Sequence, residues 1–276
     1  MAQYTRNGVV KRKPTSTMKK RRRQLKLGRL LMLGGCLGLI FISFLGGAIL
    51  WYLLDIKTPT ATANDSPGRF SRFLFLREAV ANKTRRSDYT TIDKMPQDLK
   101  NAIVAVEDSR FYEHCGFDPT GIARASLVNL QEGSIQEGAS TITQQLVKNL
   151  FLSPEQTFER KAEECLLALD MEANYNKEEI LELYLNNIYF GSNFYGITAA
   201  SRGYFDKLPQ ELNLAEAAML AGLPNAPSLY SPYVDFLLAK KRQLIVLDAM
   251  VSNGYIDRTT AEDAKIKPLS LARRVE

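Results

Sequence analysis

Glu107, Asp108, Glu113 and His114 place three carboxylates and the chain's only imidazole within eight positions, inside the stretch A-V-E-D-S-R-F-Y-E-H-C-G-F-D from Ala105 to Asp118. An apolar run, Ala102 to Val106, leads into them, and a Gly-containing turn toward Pro119 follows. Carboxylates emerging from a buried segment sit where pKa values shift enough for proton transfer. The competing reading is a solvated helix start, where Asp and Glu are favoured by the helix dipole. This stretch alone leaves both open.

Two further clusters offer groups for an anion or a sugar. In G-A-S-T-I-T-Q-Q-L-V-K-N, Gly138 to Asn149, Thr141 followed by Gln144 fits a capping box and predicts a helix start. On the helix, Thr141, Gln145 and Lys148 share one side while Ile142, Leu146, Val147 and Leu150 take the other. A hydroxyl, an amide and an ammonium group together suit a phosphate or sugar, although many surface helices carry such a stripe. In Arg160-Lys161-Ala162-Glu163-Glu164, three- and four-residue spacing brings Arg160, Lys161 and Glu164 onto one helix face. They are either ordinary ion pairs worth about 0.2–0.5 kcal/mol, or cations grouped to meet an anionic leaving group. A fourth stretch, Lys177 to Gly191, ends in an Asn- and Gly-rich turn and frames the site.

Helices must position these groups. Apolar residues recur at three- and four-residue spacing from Pro96 to about Ser109, Gly121 to Leu130, Thr141 to Leu152, Pro154 to about Asn174, Lys177 to Tyr189 and Leu214 to Leu223. Ala239 to Lys265 reads as two more helices broken at Asn253-Gly254. Strand-like alternation is scarce and internal repeats are absent, so the fold class is mostly α.

The formal charge of +6 is misleading, because residues 1–29 hold 11 Lys and Arg and no acid; subtracting those 11 leaves −5 for the remainder. A basic protein of this kind would invite nucleic acid, but the basicity is confined to a short tail, and no nucleic-acid partner is expected. Next to the tail, Leu30 to Leu54 runs for 25 residues without a charge and ends beside Trp51 and Tyr52. At about 1.5 Å per residue it crosses a bilayer core of about 30 Å. The basic flank puts the N-terminus in the cytoplasm and Asp55 onward outside. The small-x-small tripeptide Ala61-Thr62-Ala63 offers a cleavable signal peptide instead, but the apolar run is long for one and the tripeptide lies well past its end. The expected organisation is a basic cytoplasmic tail (1–29), a transmembrane helix (30–54), a linker and membrane-proximal segment (55–88), and a catalytic domain (89–276). Within the linker, Arg69 to Arg86 mixes aromatic and basic residues and suits either a lipid interface or ordinary packing on the domain. Cys115 and Cys165, on the outer side, are read as free thiols, and Cys36 lies in the span.

Order and spacing join the four stretches. E-D-x-x-F-x-x-H-x-G-x-D at Glu107 to Asp118, G-x-S-T-I-T-Q-Q at Gly138 to Gln145, R-K-x-x-E at Arg160 to Glu164 and I-L-x-x-Y-x-N at Ile180 to Asn186 together resemble the peptidoglycan glycosyltransferases of family 51. These are the lipid II polymerases found alone and as the first domain of class A penicillin-binding proteins. Gly203-Tyr204-Phe205 and Leu214 to Pro224 extend the resemblance, which covers roughly Tyr89 to Leu247. Cys115 is a departure at a position where the family varies.

The resemblance implies a lysozyme-like, mostly helical domain of two lobes behind a single N-terminal transmembrane helix, with Gly121 to Leu130 in the lobe that dips into the bilayer. It implies that Glu107 is the general base toward the 4-hydroxyl of the acceptor sugar, its pKa raised by the apolar Val104, Val106 and Phe111, with inversion at the anomeric carbon. Lys148, Arg160 and Lys161 would hold the pyrophosphate, with Glu164 as a second catalytic carboxylate beside them. Asp108, Phe111, His114, Ser140, Thr141, Gln145 and Asn149 would bind substrate, His114 chiefly by fixing its loop through hydrogen bonds. No tightly bound cofactor or metal cage is implied, but a divalent cation, Mg or Mn, would assist pyrophosphate departure. Partners would be lipid II, the growing glycan chain, membrane lipid and other cell-wall synthesis proteins, and moenomycin would inhibit. Two other classes fit the same residues less fully: a lysozyme-like glycan hydrolase, and an inactive cell-wall scaffold. A transpeptidase domain is not expected, since 29 residues follow Leu247 and Ser16 to Lys19 is the one Ser-x-x-Lys match.

The charge bias fixes a topology that can be measured. A reporter active only in the cytoplasm should work when fused at the N-terminus and fail when fused after Glu276. The opposite pattern, or a mature N-terminus at Asn64, would refute the anchor.

Overall fold

The computed structural model describes residues 75–84, 88–132, 140–155 and 157–273. The chain divides into two compact units, Met1–Asp65 and Ser66–Glu276, and every described residue belongs to the second. The basic tail, the span expected over 30–54, Gly138 and Ala139 lie outside the described residues. Among the described residues no helix is long and apolar enough to cross a membrane.

The described chain is mostly helical, as its periodicity predicts. Its helices are α1 (Leu76–Thr84), α2 (Gln97–Glu107), α3 (Pro119–Glu132), α4 (Ile142–Phe151), α5 (Phe158–Asn174), α6 (Lys177–Asn187), α7 (Ile197–Phe205), α8 (Leu214–Gly222), α9 (Pro227–Tyr230), α10 (Phe236–Ser252) and α11 (Arg258–Ile266). The β-pairing among the described residues is limited to two isolated bridges, Cys115 with Phe117 and Tyr189 with Tyr195.

The architecture follows from α8. Apart from Glu216 in its first turn, its sequence L-A-E-A-A-M-L-A-G is apolar on every side, and Ala215 through Gly222 are all buried. A helix without a polar face must be surrounded, and α2 and α10 pack against it. Leu99, Ala102, Ile103 and Val104 of α2 and Val246, Leu247 and Met250 of α10 are buried with it. Its small alanines let these neighbours approach closely. The start of α8 is closed by a capping box, in which Asn213 accepts from Glu216 N–H and Glu216 accepts from Asn213 N–H at 3.0 Å.

A second group forms where α4 packs on α5 and α6. The capping box expected at Thr141 is present: Thr141 Oγ1 accepts from Gln144 N–H at 3.1 Å, and Gln144 Oε1 accepts from Thr141 N–H at 3.0 Å. Ile142, Leu146, Val147 and Leu150 are buried as the wheel predicts. Thr141 is buried too, and its hydroxyl donates to Gly116 O at 2.6 Å. The described part of the aromatic and basic segment packs on this body: Leu76, Ala79 and Val80 of α1 are buried, and Arg77 lies over the Tyr175 ring at 4.6 Å.

Some boundaries shift for local reasons. α2 stops at Glu107, short of Ser109, because Asp108 leaves helical geometry at φ −159, ψ 75. α5 begins at Phe158, later than Pro154, because Thr157 caps it through the Arg160 N–H. α7 carries little helical signal, since Gly196 (φ 82) precedes it without a side-chain cap and it contains Gly203. Burial of Ile197, Ala200 and Tyr204 outweighs that weak propensity.

Gly116 ties the acidic loop to this frame. It sits at φ +88, and a Cβ there would lie 2.8 Å from the Ala168 backbone carbonyl. Gly116→Ala should therefore destabilise by at least about 2 kcal/mol, from the left-handed strain plus the clash. A thermal melt in detergent showing no loss would refute this account.

Candidate active site

Glu107 is the last residue of α2, so the packing of that helix against α8 and α10 decides where its carboxylate lies. The side chain is 6% exposed and lines a cleft of about 550 Å³ together with Val106, Arg110, Arg124, Ser140 and Arg242. Gln145 Nε2 donates to Glu107 Oε2 at 2.9 Å, and Tyr184 Oη donates to Gln145 Oε1 at 3.0 Å. The tyrosine thereby fixes which end of the amide faces the carboxylate. Glu107 Oε1 has no hydrogen-bond partner among the described residues; Arg242 Nη2 is 3.8 Å from it, beyond hydrogen-bond range. One oxygen is anchored and the other is left able to take a proton.

Burial is the main cause that raises the Glu107 pKa, and the neighbouring Asp108 charge adds to it. The Gln145 hydrogen bond and the Arg242 and Lys148 charges oppose the rise. Burial likewise holds the Tyr184 phenol protonated, which keeps it a donor.

Asp108 and His114 form a buried pair, with His114 Nε2 3.1 and 3.0 Å from the two Asp108 oxygens. Asp108 Oδ2 also accepts the N–H of Ile142 at 3.0 Å, at the start of α4. His114 thus fixes its loop, and its Nε2 is occupied by that task. Phe111 is fully buried and packs edge-on to Tyr112 and His114, so it supports the loop and presents no surface to a substrate. Lys177 places its ammonium 4.5 Å from the Phe111 ring centre and donates to His114 O at 2.7 Å, so the fourth motif does frame the site.

The cations gather in a second cleft of about 750 Å³, lined by Lys148, Asn149, Leu152, Phe158, Arg160 and Lys161 among others. Arg160 Nη1 donates to Glu164 Oε2 at 2.8 Å and Lys161 Nζ pairs with Glu164 Oε1. Glu164 is 2% exposed, so this is not an ordinary surface pair. It holds both cations at the wall of this cleft. Lys161 Nζ also donates to Ser140 Oγ at 3.2 Å, and Ser140 lines the Glu107 cleft, so the two clefts adjoin there. α4 serves both, with Gln145 on Glu107 and Lys148 three residues on at the cations.

Arg242 is the site residue least visible in the sequence, where Lys240-Lys241-Arg242 reads as a solvated charge run. Tyr184 was visible only as part of a framing helix. Cys115 and Cys165 are free thiols, and Cys165 accepts from Gln144 Nε2 at 3.2 Å. Among the described residues no group of three or more His, Cys, Asp or Glu could hold a metal.

The raised Glu107 pKa has a consequence for stability. The folded protein binds this proton more tightly than the unfolded chain, so the contribution is full below the ordinary glutamate value of 4.5 and is lost as pH rises through the folded pKa. At neutral pH the buried charge costs stability. Glu107→Gln should therefore raise the melting temperature at about pH 7–8, and the gain should shrink toward zero below about pH 4.5. A gain that is independent of pH would refute this.

The chain matches the family described as Transglycosylase over residues 75–251. It is 49% identical over 185 residues to penicillin-binding protein 1A of Aquifex aeolicus, covering 67% of this chain and 26% of that protein. It is 47% identical over 192 residues to penicillin-binding protein 1A of Neisseria flavescens, covering 70% and 24%. A solved penicillin-binding protein 1A from Haemophilus influenzae is 27% identical with a TM-score of 0.42, covering 69% of this chain and 19% of that one. The chain thus spans about a quarter of the length of the curated relatives it matches. With the match covering the four motif stretches, the chain belongs to the transglycosylase family, as its motif resemblance to the family 51 glycosyltransferases implied.

Proposed function

We propose that this chain is a membrane-anchored peptidoglycan glycosyltransferase that polymerises lipid II into glycan strands and releases undecaprenyl pyrophosphate with inversion. The observation that carries this reading is the adjacency of a buried carboxylate with one free oxygen, Glu107, to a cleft of grouped cations, Lys148, Arg160 and Lys161. Glu107 Oε1 accepts the proton of the acceptor 4-hydroxyl as that oxygen bonds to the anomeric carbon of the growing chain. The bond from that carbon to the pyrophosphate oxygen breaks, and the cations meet the charge that develops on the leaving group. A glycan hydrolase would have no use for cations grouped in this way.

The finer features belong to the same reading. The domain is two-lobed and lysozyme-like, with α3 and its exposed Ile122 in the lobe that meets the bilayer. It lies outside the cytoplasm, behind the span over 30–54. A divalent cation, Mg or Mn, would arrive with the pyrophosphate, since both Glu164 oxygens are engaged by Arg160 and Lys161. Moenomycin, a phosphoglycolipid, would compete for the same cations.

Incubating the purified protein with lipid II tests the proposal. Polymer is expected; cleavage of finished glycan would indicate a hydrolase, and neither product a scaffold. Glu107→Gln should reduce the rate by about 10²–10⁴-fold. Arg160→Ala or Lys161→Ala should cost about 2–4 kcal/mol of transition-state stabilisation and weaken moenomycin binding. A melting curve for each variant separates this from loss of fold, since unpairing buried Glu164 also destabilises.

A further inference from the structure

Arg242 enters the Glu107 cleft from α10, a helix outside the four motif stretches. Its side chain is 13% exposed, and Nη2 stands 3.8 Å from Glu107 Oε1. The position is built from three directions. The guanidinium lies 5.7 Å from the centre of the Tyr230 ring. Nε donates to Gly222 O at 3.3 Å. The aliphatic stem fills the space in front of Gly222, where an added Cβ would lie 2.8 Å from Arg242 Cγ. Gly222 has no positive φ, so room for the Arg242 stem, rather than a turn, accounts for a glycine in Leu220-Ala221-Gly222-Leu223-Pro224.

Resting on the glycosyltransferase reading of this cleft, we propose that Arg242 is a positioning residue for the reaction, acting through Glu107 by setting a positive charge beside its carboxylate without donating a hydrogen bond to Oε1. At 3.8 Å the guanidinium supplies charge without a hydrogen bond that would occupy that oxygen. The other groups acting on Glu107 are Asp108, whose charge works against ionisation, Gln145 and Lys148 from α4, and Tyr184 from α6. Arg110 and Arg124 line the same cleft, Arg110 paired with Asp118 at 3.0 Å. Of the two cations whose charge lowers the Glu107 pKa, Lys148 is exposed and Arg242 is largely buried, so the field of Arg242 is the less screened.

The test uses the full chain in detergent, with Arg242→Met, Arg242→Lys and Gly222→Ala. Lipid II polymerisation is followed across pH, and the Glu107 carboxyl is titrated by 13C NMR, assigned with Glu107→Gln. In Arg242→Met the acidic limb of kcat/KM and the NMR midpoint should both move up by about one pH unit or more, with activity recovering at higher pH. Arg242→Lys should move them less, and remains readable if Arg242→Met does not fold. Gly222→Ala should move them in the same direction by displacing the stem. An unmoved midpoint overturns the proposal, as does a raised KM with an unmoved acidic limb, which would mean that Arg242 binds substrate directly. If the wild type makes no polymer at any pH, the glycosyltransferase reading itself falls; polymer with unmoved profiles sinks only the role of Arg242.

Discussion

The carboxylate of Asp108 is the joint on which the site depends. It accepts the first free N–H of α4 through Oδ2 and pairs with His114, at the point where the chain leaves α2. An unpaired N–H at a buried helix start is costly, so this contact fixes α4 against the end of α2. Because Gln145 lies on α4 and Glu107 ends α2, the 2.9 Å contact between them follows from that joint. The capping box at Thr141 and the hydroxyl contact to Gly116 hold the same junction from the other side. An acidic loop that would be loose in isolation is thereby held on three independent contacts.

The two clefts solve opposite electrostatic problems. Around Glu107 the carboxylate is buried, given one amide hydrogen bond and kept beyond hydrogen-bond range of a cation. Around Glu164 the carboxylate is buried as well, but both of its oxygens meet cations, Arg160 and Lys161. Glutamate serves in both places, and the neighbours alone decide the difference. Burial of Glu107 works against the stability of the fold at neutral pH.

This arrangement rests on one structural decision, the full enclosure of α8. Surrounding an alanine-rich helix with α2 and α10 brings Glu107 and Arg242, residues far apart in the chain, to one wall. Gly222 sits at the same place, and its missing side chain is what admits the Arg242 stem. The motif glycine and the cleft are thus linked through packing rather than through any shared backbone requirement.

The sequence by itself determined the helical class, most helix positions, the capping box at Thr141 and the four stretches that carry the chemistry. These depend on local spacing, which a sequence states directly. It also grouped Arg160, Lys161 and Glu164, because three- and four-residue spacing puts them on one helix face. Only the tertiary structure decided that Glu164 is buried, that His114 serves Asp108, that Phe111 is wholly internal and that Tyr184 orients Gln145. Arg242 shows the reason most clearly. In sequence it belongs to a run of three cations indistinguishable from a solvated face, and it lies 135 positions from Glu107. Its role exists only because α10 closes over α8, and long-range packing of that kind leaves no periodic trace in the chain.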